Sequence, residues 1–195
     1  MGLITRARER LPLESYRFGG SSLLGHRLTL LNGLQLDLAE QRGRPTLIVN
    51  TATQCGFASQ FHGLQAVYER FRNRGLLVLA CPSGDFNGLE LDQPAEIADI
   101  CRGYYEVKFP ITEPMSVRNY PHPFWQDLAA APGSGPPVWN FTKYLLDGDG
   151  QVRGWWSTNV RPTSTRITDA IQALLPDAQR GFTPAGSGWR GGAYS

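Results

Sequence analysis

Two short apolar runs joined by one helix-like segment constrain this fold more than any other feature. The runs are residues 46–50 and 76–80, and the second is apolar throughout. Such a run suits a central parallel strand that is covered on both faces. The segment between them has apolar residues at helical spacing, namely Phe61, Leu64, Val67, Tyr68 and Phe71. The pattern therefore predicts a strand, a helix that ends near Gly75, and a second strand.

The later segments continue this alternation. A half-buried strand is predicted at residues 33–38, a loop at 82–93, and helices that begin at Pro94 and near Phe124. Residues 143–146 and 152–156 flank an Asp-Gly-Asp-Gly turn, which predicts a β-hairpin. A last helix follows, with Thr163 or Ser164 as its cap. This order predicts an α/β, thioredoxin-like fold in which a central mixed β-sheet is flanked by helices on both faces.

Composition indicates one domain. A chain of 195 residues with 41% hydrophobic residues can bury a single core. We expect an N-terminal extension at residues 1–22, the domain at 23–176, and a flexible Gly- and Ser-rich tail at 177–195. The net charge of +2 argues against a nucleic-acid partner.

The cysteines and the N-terminus indicate a reducing compartment. Three cysteines are too few for a secreted disulfide framework, and they lack the spacing of a zinc site. The basic N-terminus lacks the apolar core of a secretory signal, and no run reaches membrane-spanning length. We therefore expect a cytoplasmic protein that does not interact with a membrane.

Cys55 is the leading candidate for a reactive residue. It follows the first apolar run at a predicted strand-to-helix junction, where free backbone N–H groups and the helix dipole favour a negative charge. The thiolate is the nucleophilic form of cysteine. The alternative is a small buried cysteine that only packs. Since chemistry in open α/β sheets sits at the carboxyl ends of the strands, Cys55 and the loop after residue 81 should be neighbours.

Several motifs occur in the order found in one known family. They include Cys55-Gly56-Phe57, Phe109-Pro110 and Trp139-Asn140-Phe141-Thr142-Lys143. From about residue 23 to residue 175 the chain resembles the glutathione peroxidase family. The family's active site combines a peroxidatic cysteine or selenocysteine with a glutamine, a tryptophan and an asparagine. The resemblance assigns these roles to Cys55, Trp139 and Asn140, with the indole N–H and the side-chain amide as donors that hold the thiolate.

The family's glutamine position is occupied by Asp85. An ionised carboxylate offers no donor, and a carboxylate near a thiolate disfavours the charged sulfur. Four alternatives remain open. Asp85 is protonated, is paired with an arginine, is turned away from Cys55, or accepts the proton of the thiol.

The resolving step is also open. Many family members that are reduced by thioredoxin carry a second cysteine at the position of Ser83. Cys81 and Cys101 lie nearby in sequence, and either could resolve only after a backbone rearrangement. We expect both to pack inertly. Glutathione or another small thiol would then attack the sulfenic acid directly.

The resemblance thus implies an antioxidant thiol peroxidase that reduces hydrogen peroxide or organic hydroperoxides through a cysteine sulfenic acid. It implies no metal, haem, flavin or other cofactor. The chain lacks the insertion that tetrameric members use for assembly, so a monomer or weak dimer is expected. The alternatives are a thioredoxin-dependent peroxidase and a non-enzymatic redox sensor or binding module on the same scaffold.

Overall fold

The central sheet has four strands and follows the predicted order. The structure is a computed structural model and describes residues 22–176. The strands of this sheet are β3 (Thr46–Thr51), β4 (Leu77–Pro82), β5 (Lys143–Leu146) and β6 (Val152–Trp156), arranged β4-β3-β5-β6. Strands β3 and β4 are parallel, whereas β5 is antiparallel to both β3 and β6. The mixed sheet, the hairpin and the thioredoxin-like class are confirmed.

A two-stranded ribbon precedes this sheet. It pairs β1 (Arg27–Thr29) with β2 (Gln35–Asp37) in antiparallel fashion, and β2 is the half-buried strand predicted at residues 33–38. The described α-helices are α1 (Gln60–Phe71), α2 (Pro94–Asp99), α3 (Pro123–Ala130) and α4 (Thr165–Leu174). A π-helical turn, Ile100–Tyr104, continues α2.

The two faces of the sheet are covered by different apolar clusters. The Cys55-side cluster contains Leu47 and Val49 of β3 and the buried apolar residues of α1 and α4. The opposite cluster contains Ile48 of β3 and the buried residues of α3. Strand side chains alternate between the faces, so neighbouring residues of β3 and β4 enter different clusters. Both strands are buried along their whole length, as expected for strands covered on both sides.

The ends of the helices follow local rules with one exception. Gly75 adopts φ +101° after the turn that follows α1, as predicted for a left-handed cap, and Pro94 lies in the first turn of α2. Ser164 is the N-cap residue of α4, one of the two residues predicted, although its hydroxyl makes no capping hydrogen bond. At the start of α3, His122 does cap the helix with its side chain, because its Nδ1 accepts the Phe124 N–H at 3.2 Å.

The predicted ends of the chain fall largely outside this description. Residues 1–21 and 177–195, which hold nearly all of the expected extension and the whole tail, lie outside the described residues. Among residues 22–176, no helix combines the length and apolar character needed to cross a membrane.

Candidate active site

Cys55 lies in a series of turns between β3 and α1. Its N–H donates to the Ala52 carbonyl at 3.3 Å, and its own carbonyl accepts the Ala58 N–H at 2.8 Å. The side chain is only 6% exposed. Helix α1 begins at Gln60, so the expectation that Cys55 sits at the helix start is wrong in detail. Cys55 therefore lies in the turns that precede α1 rather than in the first turn of the helix.

The loop after β4 contacts the Cys55 turn, as predicted. The Gln54 N–H donates to the Leu89 carbonyl at 3.0 Å. The Thr53 N–H and hydroxyl both donate to Glu90 Oε1. Glu90 is 7% exposed, and burial raises the pKa of its carboxyl despite these hydrogen bonds. Sequence reasoning used Glu90 only to fix the alignment and missed that it ties the loop after β4 to the Cys55 turn.

The segment 139–142 is fastened to the end of β3 by Asn50. The Asn50 side-chain amide donates to the Trp139 carbonyl at 3.1 Å, and its Oδ1 accepts the Thr142 N–H at 3.0 Å. The Phe141 N–H donates to the Asn50 carbonyl at 2.7 Å. Phe141 has φ +62°, a strained value for a bulky residue that occurs most often near functional sites. The segment therefore lies at the carboxyl end of β3, the strand that leads into Cys55.

Asn140 is fully buried, and its amide is not satisfied. Within residues 22–176, neither its Oδ1 nor its Nδ2 has a hydrogen-bond partner. Thr51 Oγ1, Gln60 Oε1 and Glu90 Oε2 are also buried and unpartnered in this described part of the chain. Unsatisfied buried polar groups are rare and need an explanation. Further buried, unpartnered atoms in the described residues belong to Gln41, Trp125, Ser134 and Ser164, outside these segments. The atoms of Thr51, Gln60, Glu90 and Asn140 remain free to bond water or another small polar molecule.

The Trp139 side chain is partly buried and packs against residues of the opposite cluster. Its ring packs on Phe86 with centroids 5.4 Å apart, and it contacts the opposite cluster, whereas Cys55 belongs to the Cys55-side cluster. The predicted pairing of β5 with β3 is confirmed. The hydrogen bond expected from the Trp139 indole to the Cys55 sulfur stays a prediction.

The Asp85 carboxylate faces the segment 116–119. Its Oδ2 accepts the Val117 and Arg118 N–H groups at 2.7 Å each, lies 2.8 Å from the Ser116 hydroxyl, and lies 3.4 Å from the Asn119 nitrogen. Partial burial raises the pKa of this carboxyl, but the hydrogen bonds outweigh it and hold the pKa below its usual value. The Arg118 guanidinium lies over the Phe86 ring instead of on the carboxylate.

The two other cysteines differ in position. All three cysteines are free thiols, and Cys81 and Cys101 are fully buried. Cys81 is a β4 residue whose side chain enters the opposite cluster, and burial raises its pKa to about 12. Cys101 lies in the π-helical turn and packs in the Cys55-side cluster. Burial, and then the charge of Glu90, raises the pKa of Cys101 to about 12.

Comparisons with known proteins identify related sequences and structures. The family profile described as glutathione peroxidase matches residues 26–128. The chain is 39% identical over 166 residues to the hydroperoxy fatty acid reductase gpx1 of Synechocystis sp., covering 80% of this chain and 96% of that protein. It is 36% identical over 149 residues to a glutathione peroxidase of Lactococcus lactis subsp. cremoris, covering 74% of this chain and 94% of that protein. The solved structure of Trgpx in apo form superposes with a TM-score of 0.62 at 26% identity, covering 81% of this chain and 100% of that one.

Proposed function

The chain belongs to the glutathione peroxidase family and is a thiol-dependent peroxidase, and from that membership we propose that Cys55 is its peroxidatic nucleophile. The observation that carries this proposal is that the loop after β4 and the segment 139–142 are both hydrogen-bonded to residues 50–54, which lead into Cys55. Unsatisfied buried polar atoms of Thr51, Glu90 and Asn140 lie in these segments. Asn140 and Trp139 are proposed to support the thiolate and the developing oxyanion.

The proposed cycle has two half-reactions. The Cys55 thiolate attacks one oxygen of the hydroperoxide, so an S–O bond forms, the O–O bond breaks, and the other oxygen leaves as an alcohol or water after taking up a proton. Cys55 becomes a sulfenic acid. A reducing thiol then attacks the sulfenic sulfur and displaces water, which gives a mixed disulfide. A second thiol attacks that disulfide, so the two reducing thiols leave as a disulfide and the Cys55 thiol is restored.

Two exposed apolar residues, close in sequence to Cys55 and Trp139, support organic hydroperoxides as substrates. Phe57, two residues after Cys55, is 38% exposed, and Val138, next to Trp139, is 59% exposed. Apolar side chains at these positions can contact an acyl chain. We therefore propose a hydroperoxy fatty acid as one substrate, by similarity to the Synechocystis relative.

Glutathione or another small thiol is the proposed reductant, in a cytoplasmic protein that is a monomer or weak dimer. A second candidate cycle, with thioredoxin as reductant, uses Cys101. Its support is that Cys101 shares a cluster with Cys55 and lies in a π-helical turn, a feature often found at functional sites. Cys81 lacks this support because it is a strand residue on the opposite face.

Mass spectrometry after one equivalent of peroxide tests both cycles. We expect a sulfenic acid at Cys55 and, with glutathione present, one glutathione adduct there. A Cys55–Cys101 disulfide without added thiol would instead favour the thioredoxin cycle, and Cys101→Ser should abolish that product. A chain that stays unmodified while peroxide persists would refute the assignment of Cys55 and favour a sensor or binding module.

Replacing Asn140 by leucine should separate activity from stability. Leucine has a similar size and removes two unsatisfied buried atoms, so we expect the free energy of unfolding to rise by about 1 kcal/mol. We also expect the reaction of Cys55 with peroxide to slow by about tenfold, because one donor of the site is lost. Urea denaturation and single-turnover kinetics measure the two effects. Unchanged peroxide kinetics would remove Asn140 from the site.

A further inference from the structure

Lys143 is a buried lysine on the same face of the sheet as Cys55. It lies on β5, opposite Val49 of β3 and Trp156 of β6, and both of these partners belong to the Cys55-side cluster. The side chain is 0% exposed. Burying an ammonium group is costly because it loses its hydration. A charged group buried at such a cost is a candidate for a role in the chemistry.

The ammonium is joined to the Cys55 side through Thr158. Lys143 Nζ donates to the Thr158 carbonyl at 3.1 Å, and Gln60 Nε2 donates to the same oxygen at 2.8 Å. The Thr158 hydroxyl donates to the Asn140 carbonyl at 2.7 Å. Gln60 begins the helix that follows the Cys55 turn, and its Oε1 is one of the unsatisfied buried atoms. One residue thus connects the buried cation to two segments of the candidate site.

No carboxylate neutralises this cation in the part of the chain described here. Its facing residues on β3, β6 and α1 are Val49, Trp156 and Gln60, none of which ionises. Other titratable side chains packed in or against the Cys55-side cluster are Cys55, Cys101, Tyr68, Tyr105 and, through Thr53, Glu90. Desolvation lowers the pKa of Lys143 to about 7. A nearby anion would act in the opposite direction and favour the charged form of the lysine.

We propose that Lys143 is a positioning residue whose buried ammonium, held by Thr158, stabilises the thiolate form of Cys55. The proposal rests on the proposed role of Cys55 as nucleophile. It adds a charge that the combination of cysteine, tryptophan and asparagine does not supply. Protonated Lys143 and the Cys55 thiolate would then favour each other, and each would be more populated in the presence of the other.

Lys143→Met should make the protein more stable and less reactive. Methionine fills a similar volume without a charge, so its burial costs less and the melting temperature should rise. The rate of Cys55 alkylation at pH 7 should fall about tenfold, and the midpoint of its pH profile should rise by about one unit. Lys108→Met is the matched control, because Lys108 is the chain's other lysine and its side chain is 71% exposed. Unchanged alkylation of Cys55 in Lys143→Met would overturn the proposal.

A reciprocal measurement on the intact protein does not depend on how the variant folds. NMR titration of the Lys143 Nζ group should show a lower midpoint after Cys55 is blocked with iodoacetamide, because the thiolate is removed. An identical titration before and after blocking would contradict the proposal. Peroxide kinetics of Cys55→Ser distinguish a failure of the proposed function from a failure of this inference. If Cys55→Ser remains active, the proposed function is refuted. If Cys55→Ser is inactive and Cys55 in Lys143→Met reacts as fast as in the parent, only the inference about Lys143 is refuted.

Discussion

Cys55→Ser is expected to abolish peroxide reduction, with a rate at least about a thousandfold lower than that of the parent. Serine has nearly the same size, but its hydroxyl does not ionise near neutral pH and is a weak nucleophile toward peroxide. The side chain is buried in a turn held by backbone hydrogen bonds, so the fold should survive the exchange. Peroxide consumption with glutathione measures the effect.

Cys81→Ser is the matched control for this prediction. It makes the same exchange in a buried cysteine on the opposite face of the sheet, and it should retain peroxide consumption. Thermal unfolding of both variants shows whether either exchange disturbs the fold. If Cys55→Ser consumed peroxide as fast as Cys81→Ser, the nucleophile would lie elsewhere in the chain.

The elements of the fold were predictable because their signals are local. The apolar run of β4, the helical spacing of α1 and the Asp-Gly-Asp-Gly turn each specify one element within a short window. Helices on both faces then follow, since both β3 and β4 are buried throughout. The start of α1 was misplaced because Cys55–Ser59 form turns that lack a distinct residue signature.

The contacts of the site were not predictable in the same way because they join residues far apart in sequence. Asn50 binds Trp139 and Thr142 across about ninety residues, and only the folded sheet brings them together. The burial of Lys143 was missed because the sequence pattern gives a lysine on a hairpin strand no reason to point inward. The partners of Asp85 were missed because the turn at residues 116–119 has no regular periodicity.

Asp85→Asn should lower the free energy of unfolding at pH 7 by about 2 kcal/mol. The carboxylate is the shared acceptor for the N–H groups of segment 116–119, and hydrogen bonds to a charged acceptor are stronger than those to a neutral amide. Asp92→Asn, which changes an exposed acid on the same loop, is the matched control and should have little effect. Urea denaturation measures the difference.

The pH dependence distinguishes this anchoring role from a role in proton transfer. Because the folded pKa of Asp85 lies below its unfolded value of about 3.9, its stabilising effect is complete above that pH and is lost as the pH falls through the folded pKa. The stability gap between parent and Asp85→Asn should therefore be equal at pH 7 and pH 5 and should shrink towards pH 3. If Asp85 instead accepts the thiol proton, the exchange would slow Cys55 alkylation and leave the gap near zero at every pH. If Asp85→Asn is as stable as the parent but its Cys55 is alkylated more slowly, Asp85 acts as a general base and not as an anchor of segment 116–119.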